Sequence, residues 1–151
     1  MKKTTLCYIE EDEKYLMLHR VKKKHDENEG KWIGVGGKFE TGETADECLF
    51  REVYEETGVK LTSYRFRGII RFISDKWDDE EMHLYTADAY EGQINFECNE
   101  GVLSWVDKSK ILDLDLWEGD RIFLKELLDD KDVSLTLHYD AEDRLTEVLY
   151  D

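Results

Sequence analysis

The chain contains no proline and only three cysteines, and its 21 lysines and arginines are far outnumbered by 37 aspartates and glutamates. Each shortage excludes something. Without proline there is no polyproline segment or stiff linker, and no repeat, low-complexity run or shift in composition divides the 151 residues, so one domain over 1–151 is expected. Cys7, Cys48 and Cys98 are odd in number and far apart, unlike the paired spacing of a zinc site or the density of a disulfide scaffold, which points to buried free thiols in a reducing cytoplasm. Long apolar runs are missing too. The opening MKKTTLCYIEEDE meets acid after a few apolar residues, so neither a secretory signal nor a membrane span is expected. A formal charge of −16 argues against a nucleic-acid duplex or an anionic membrane as partner, and an anionic ligand would need a cation between it and the protein.

Local patterns then give the elements. TTLCYIE and KYLMLHRV flank the acidic turn EDE and predict a β-hairpin, and KWIGVGG continues as a short extended piece. A helix is predicted from Ala45 to Thr57, because Thr44 and Glu47 form a capping box and Gly58 is placed to end it. YRFRGIIRFIS, EMHLYTADAY and GVLSWVD read as strands, GDRIFLKELLDD as an amphipathic helix, and VSLTLHYD with RLTEVLYD as a closing hairpin. Strands outnumber helices, which suits a mixed-sheet α/β sandwich rather than a doubly wound parallel sheet.

On the first helix Glu52, Glu55 and Glu56 fall within an arc of roughly 100°, and Glu56 lies about 6 Å along the axis from Glu52. Phe50, Val53 and Tyr54 make a further apolar flank, so this helix is expected to pack between layers. Carboxylates near a packed face repel one another and lose hydration unless a cation sits among them, and clustered oxygens suit hard cations such as Mg²⁺ or Mn²⁺. Three glutamates alone could equally form a solvated acidic face. The longer pattern separates the two readings: Gly37, Glu43, Arg51, Glu52, Val53, Glu55, Glu56, Gly58 and Val59 fit G-x5-E-x7-R-E-U-x-E-E-x-G-U, with U aliphatic, without a departure. In this signature the chain resembles the Nudix hydrolases.

The resemblance implies a Nudix-type α/β/α sandwich with a mixed β-sheet and a loop-helix-loop motif that holds Mg²⁺, or alternatively Mn²⁺, against the phosphates of a small nucleotide substrate. By that likeness Glu52, Glu55 and Glu56 bind metal with the backbone carbonyl of Gly37, and Arg51 pairs with Glu43 to hold the loop. Gly36 and Gly37 let backbone approach phosphate closely, and Lys38 stands where it can touch an anionic oxygen. NEGKWIGVGGK, CNEG and WEGD resemble the MutT and MutX type, which hydrolyses 8-oxo-dGTP to the monophosphate and pyrophosphate. Glu100 then matches a loop glutamate that supplies a further carboxylate. The general base differs among members, and the assignment leans to Glu52.

Trp117 and Asp120 together offer an indole for stacking and a carboxylate for a base edge, as in the vertebrate oxidised-purine triphosphatases of the family. Their residue types also suit a core anchor and a helix-start acid. Ile33 and Gly119 depart from that vertebrate pattern, which has a base-contacting Asn and an Asp there. The basic run HRVKKKH at 19–25 could steer a triphosphate or simply keep the surface solvated. Three functions follow: a sanitiser of oxidised nucleoside triphosphates, a Nudix hydrolase of another nucleoside-diphosphate-linked substrate, and a non-catalytic nucleotide-binding regulator. The oligomeric state is left open.

Overall fold

The computed structural model describes residues 1–22 and 26–151, so Lys23, Lys24 and His25 of the basic run lie outside the described residues. The strands are β1 (Lys2–Glu11), β2 (Lys14–His19), β3 (Trp32–Ile33), β4 (Val35–Lys38), β5 (Lys60–Ser74), β6 (Glu80–Glu91), β7 (Val102–Asp107), β8 (Leu135–Tyr139) and β9 (Leu145–Tyr150). The helices are α1 (Ala45–Thr57) and α2 (Glu118–Leu128), with a 3-10 segment at Lys108–Asp113 that no sequence signal announced.

The main sheet runs β4-β1-β6-β5-β8-β9, and it is mixed as expected: β1 pairs parallel with β6 and β5 parallel with β8, while the other neighbours are antiparallel. The opening hairpin exists but is brief. Only Glu10↔Tyr15 and Glu11↔Lys14 pair β1 with β2, after which β2 leaves to pair with β7 and β3. KWIGVGG accordingly divides, β3 joining β2 and β4 joining β1.

Alternation along these strands builds two cores. Leu6 and Tyr8 of β1 with Tyr15 and Met17 of β2 face α2, where Phe123, Leu124 and Leu127 meet them. Cys7, Ile9, Leu16 and Leu18 point the other way, toward Leu49 and Val53 of α1. Strands buried on both faces read as continuous apolar runs, which is why TTLCYIE and YLML carry so little polar interruption.

Helix α1 has the predicted ends. The Thr44 hydroxyl accepts from Glu47 N at 3.2 Å, the Glu47 carboxylate accepts from Thr44 N at 2.9 Å, and Gly58 closes the helix at φ 83°. Its packing differs from the expectation. Cys48, Leu49, Val53, Glu56 and Thr57 are buried, whereas Phe50 and Tyr54 are exposed, so α1 packs on one flank and not between layers. Phe50 instead rests edge-on against Tyr64 of β5, at a centroid distance of 5.1 Å. Among the described residues no helix is long and apolar enough to cross a membrane.

Candidate active site

The loop ahead of α1 is shaped by two glycines. A Cβ on Gly36 would collide with the Thr5 carbonyl of the neighbouring strand β1, and one on Gly37 would collide with the Glu52 carboxylate. Gly36 needs glycine because fixed backbone approaches it too closely for any side chain, whereas at Gly37 the Glu52 carboxylate could swing aside. Gly36 N donates to Glu56 Oε2 at 2.9 Å, which ties the buried carboxyl of α1 to the loop.

Arg51 locks the same loop. Its Nε and Nη2 reach the two oxygens of Glu43 at 2.6 and 2.9 Å, and Nη2 also donates to the Lys38 carbonyl at 2.9 Å. The guanidinium drives the Glu43 carboxyl down to about 2. The Arg51–Glu43 pairing expected from the signature is therefore present as a two-point fork. Arg51 does more than that: Nη1 donates to Glu52 Oε1 at 2.6 Å and approaches Glu55 Oε2 at 3.3 Å, so its charge lies among the acids of the helix.

Those acids occupy different environments. Glu56 is 7% exposed, and burial pushes its carboxyl well above the ordinary range, with hydrogen bonding and charge from Glu100 adding to the rise. Burial also raises Glu52, helped by Glu55 and Glu100 and opposed by Arg51. Glu55 is exposed at the rim. Glu100 comes from the loop before β7 and stands 3.6 Å from Arg20 Nη1. These are oxygen donors whose charges penalise one another, which is the chemistry that a hard divalent cation relieves. Among the described residues no group of three or more such side chains is arranged to hold a metal ion as it stands, with Glu52 drawn to Arg51 and Glu56 to Gly36 N. The donor set fits such a cation; closing it requires Glu52 to turn from the guanidinium.

From Gly36, Gly37 and the exposed Lys38 a cleft of about 240 Å³ runs to Trp117 and Asp120. Trp117 opens α2, its indole N–H donating to Asn28 Oδ1 at 2.9 Å and its ring meeting Tyr139 edge-on at 5.1 Å. It is half-buried, packed on the core and lining the cleft as well, so the core contact expected of it is present and its indole is also open to the cleft. Asp120 stands in the first turn of α2 but is 4% exposed, and burial, with the charge of Glu80, pushes its carboxyl up to about 8. At neutral pH it is mainly protonated, so it both donates and accepts, unlike the plain carboxylate its sequence context suggested.

The two departures have visible consequences. Ile33 gives the cleft only apolar surface. Gly119 N donates to the Tyr139 hydroxyl at 2.8 Å, and any Cβ there would strike that hydroxyl and Leu137. Sequence reasoning missed further cleft residues, among them Lys2, Thr4, Asn28 and Glu80. Nothing local marks them, since Glu80 sits in a run of acids and the others fall in ordinary strand or turn positions. Of the basic run, His19 stacks on Trp32 at 4.3 Å and Arg20 lines the cleft, held to Asp26 at 2.6 Å.

Carboxylates crowded at the end of a glycine loop, beside a cleft with an indole wall, are the equipment of a cation-assisted phosphohydrolase. The chain belongs to the Nudix family, whose NUDIX domain model matches residues 2–127. It is similar to an uncharacterised Nudix hydrolase of Bacillus subtilis, YvcI, at 32% identity over 124 residues, 80% of this chain and 75% of that one. The oxidized purine nucleoside triphosphate hydrolase of Danio rerio is 34% identical over 110 residues, 72% of this chain and 70% of its own. Among solved structures, the mutator MutT protein of Bacillus halodurans superposes with a TM-score of 0.89 at 26% identity, covering 100% of this chain and 98% of that one. A shorter match, over 47% of this chain and 26% of the relative, joins it to an NAD-capped RNA hydrolase of Vibrio vulnificus. Nudix hydrolases generally use a divalent cation such as Mg²⁺ and act on small nucleotide substrates.

Proposed function

We propose that residues 1–151 form a single Nudix hydrolase domain that converts oxidised purine nucleoside triphosphates such as 8-oxo-dGTP to the monophosphate and pyrophosphate. One observation carries the reading: a single cleft is lined both by Gly36, Gly37 and Lys38 next to the acidic helix and by Trp117 and the buried Asp120. A triphosphate laid along the first group would bring its base to the second.

Glu52, Glu55, Glu56 and Glu100, with the Gly37 carbonyl, would hold Mg²⁺ or Mn²⁺, which when bound supplies charge neutralisation at the phosphates and activates water. Glu52 accepts the proton of the attacking water. Its place beside Gly37, at the start of the cleft's glycine loop, suits that role. Lys38 contacts a phosphate oxygen, and the Arg51–Glu43 fork keeps the loop in register with the helix. Trp117 stacks on the base while the neutral Asp120 carboxyl pairs with an edge that offers one donor and one acceptor side by side.

The test is direct. With Mg²⁺ and a panel of nucleotides, 8-oxo-dGTP should have the highest kcat/KM, and in ¹⁸O water the label should enter pyrophosphate. Release of orthophosphate would remove the proposed chemistry. A second reading, hydrolysis of ADP-ribose, a dinucleoside polyphosphate, a nucleotide sugar or a capped RNA end, draws on Ile33 and on the NAD-capped RNA hydrolase among the relatives; a higher kcat/KM for one of these would favour it.

A further inference from the structure

The cleft holds a second acid, half-buried, that the reading above leaves without a role. Glu80 opens β6 beside the start of β1, in register with Lys2 and across from Phe72 of β5, and it lines the cleft together with Asp120. Its side chain is 19% exposed and held in one orientation: Thr4 Oγ1 donates to Oε2 at 2.6 Å, and Lys2 Nζ stands 3.7 Å from Oε1. Lys2 is closer to another acid, Glu27, at 2.9 Å. Glu80 Oε1 therefore has only a distant, shared cation. Burial raises the Glu80 carboxyl, while the Thr4 hydroxyl and Lys2 favour its ionised form; in that form a carboxylate offers about four acceptor sites, and the one hydroxyl leaves most of them open.

The arrangement has an electrostatic consequence. Glu80 and Asp120 reach one cleft from different elements, β6 and α2, and burial first, with the Glu80 charge adding to it, favours the protonated form of Asp120. Lys31 opposes that effect. Ile33, Met82, Leu6 and Phe72 supply apolar wall to the same cleft. A flat ligand lying here thus meets a neutral carboxyl from one element and an acceptor fixed by a threonine from another. A ring lone pair pointed at Glu80 would be repelled, and a ring N–H would be welcomed.

Oxidation of a purine at C8 makes that exchange: the C8–H becomes a carbonyl, and N7, a bare acceptor in the unmodified base, gains a hydrogen. We propose that Glu80 is a second base-reading carboxylate, which accepts a hydrogen bond from the N7–H of an 8-oxo-purine and disfavours the N7 lone pair of the unmodified purine. The inference rests on the oxidised-purine reading and deepens it by assigning the discrimination itself to one side chain. Thr4 acts as its positioning residue.

The experiment compares wild type, Glu80→Gln and Thr4→Val in two measurements. The first is the ratio of kcat/KM for 8-oxo-dGTP to that for dGTP; the second is calorimetric binding of 8-oxo-dGMP and dGMP without added metal. A glutamine keeps the shape but can turn an N–H toward N7, so the preference for the oxidised base should fall about tenfold or more in both measurements. Thr4→Val, which frees the carboxylate to rotate, should lower it about threefold. A thermal melt of each variant accompanies the data. A wild type without preference for the oxidised base overturns the substrate reading and this inference with it. A wild-type preference that survives in folded Glu80→Gln overturns the role of Glu80 alone. If Glu80→Gln fails to fold, an intact preference in Thr4→Val overturns it.

Discussion

The two ends of the cleft solve the same problem, a carboxyl taken out of water, in opposite ways. At the loop-helix end most of the acids lie in α1 and the loop ahead of it, with Glu100 joining from the loop before β7, and the charge of three of them is met locally by Arg51, which bonds Glu43 and Glu52 and approaches Glu55. At the base end Asp120 and Glu80 come from distant parts of the chain, and the relief is a proton on one and a threonine hydroxyl on the other. The first end is poised for a cation, the second for a neutral donor-rich ligand. The lesson is that buried acidity by itself does not say what a site binds; the kind of group that balances it does.

The largest test of this contrast is at the loop-helix end. Glu56→Gln should lower kcat by about a hundredfold or more with the fold kept, since an amide oxygen can still accept from Gly36 N. Added Mg²⁺ should raise the melting temperature of the wild type and raise that of the variant less, by linkage. Equal turnover in the two proteins would break the comparison.

At the base end the losses should be smaller and fall on binding. Trp117→Ala should raise KM for 8-oxo-dGTP about tenfold, the loss of one stacking surface, while kcat changes less. Because the ring also leans on Tyr139, the melting curve must be recorded alongside. A variant that is destabilised and impaired equally on every nucleotide would identify the indole as a core anchor only.

Asp120→Asn should reveal the buried proton. The wild-type carboxyl is raised from 3.8 to about 8, so between these values the folded state binds more protons than the unfolded state, and its stability falls as pH rises through the window. The asparagine variant lacks that titration. The melting-temperature difference, variant minus wild type, should therefore increase from about pH 4 to about pH 8 and then level off; a difference independent of pH would show the carboxyl to be ionised in the fold. In the same variant, discrimination between 8-oxo-dGTP and dCTP should be largely kept, because an amide offers the same pairing of donor and acceptor as the neutral carboxyl; a collapse of discrimination would mean that Asp120 reads the base as a carboxylate.

The smallest effect is structural. Thr44→Ala removes one half of the capping box and should cost about 1 kcal/mol, or roughly 2–4 °C in melting temperature, with kcat/KM reduced little. A large catalytic loss there would mean that the register of α1 against the loop is more delicate than the Arg51 fork suggests.

Local features were the legible ones. The bounds of α1, its capping box and its left-handed glycine were readable because each depends on residues within a few positions of one another. The Arg51–Glu43 pair, in contrast, was expected only from the family resemblance, and the structure shows it. The reach of Arg51 to Glu52 and Glu55 was not, since the direction of a guanidinium depends on where the loop backbone returns. Likewise Phe50 and Tyr54 look like core on a helical wheel, yet they are exposed because the partner sheet covers only the opposite flank.

By itself the sequence determined the family through one contiguous signature, the strand and helix order through periodicity and caps, and an acidic balance that makes a cation the natural mediator of any phosphate ligand. Tertiary structure alone decided which acids share the cleft, that burial raises the Asp120 carboxyl, that Gly119 leaves room for the Tyr139 hydroxyl, and that Glu80 and Thr4 line the cleft together with Trp117 and Asp120. The physical reason is range: caps and helical faces follow from neighbours in the chain, whereas burial and the charge it penalises depend on strands and helices that meet only when β1, β6 and α2 are packed together.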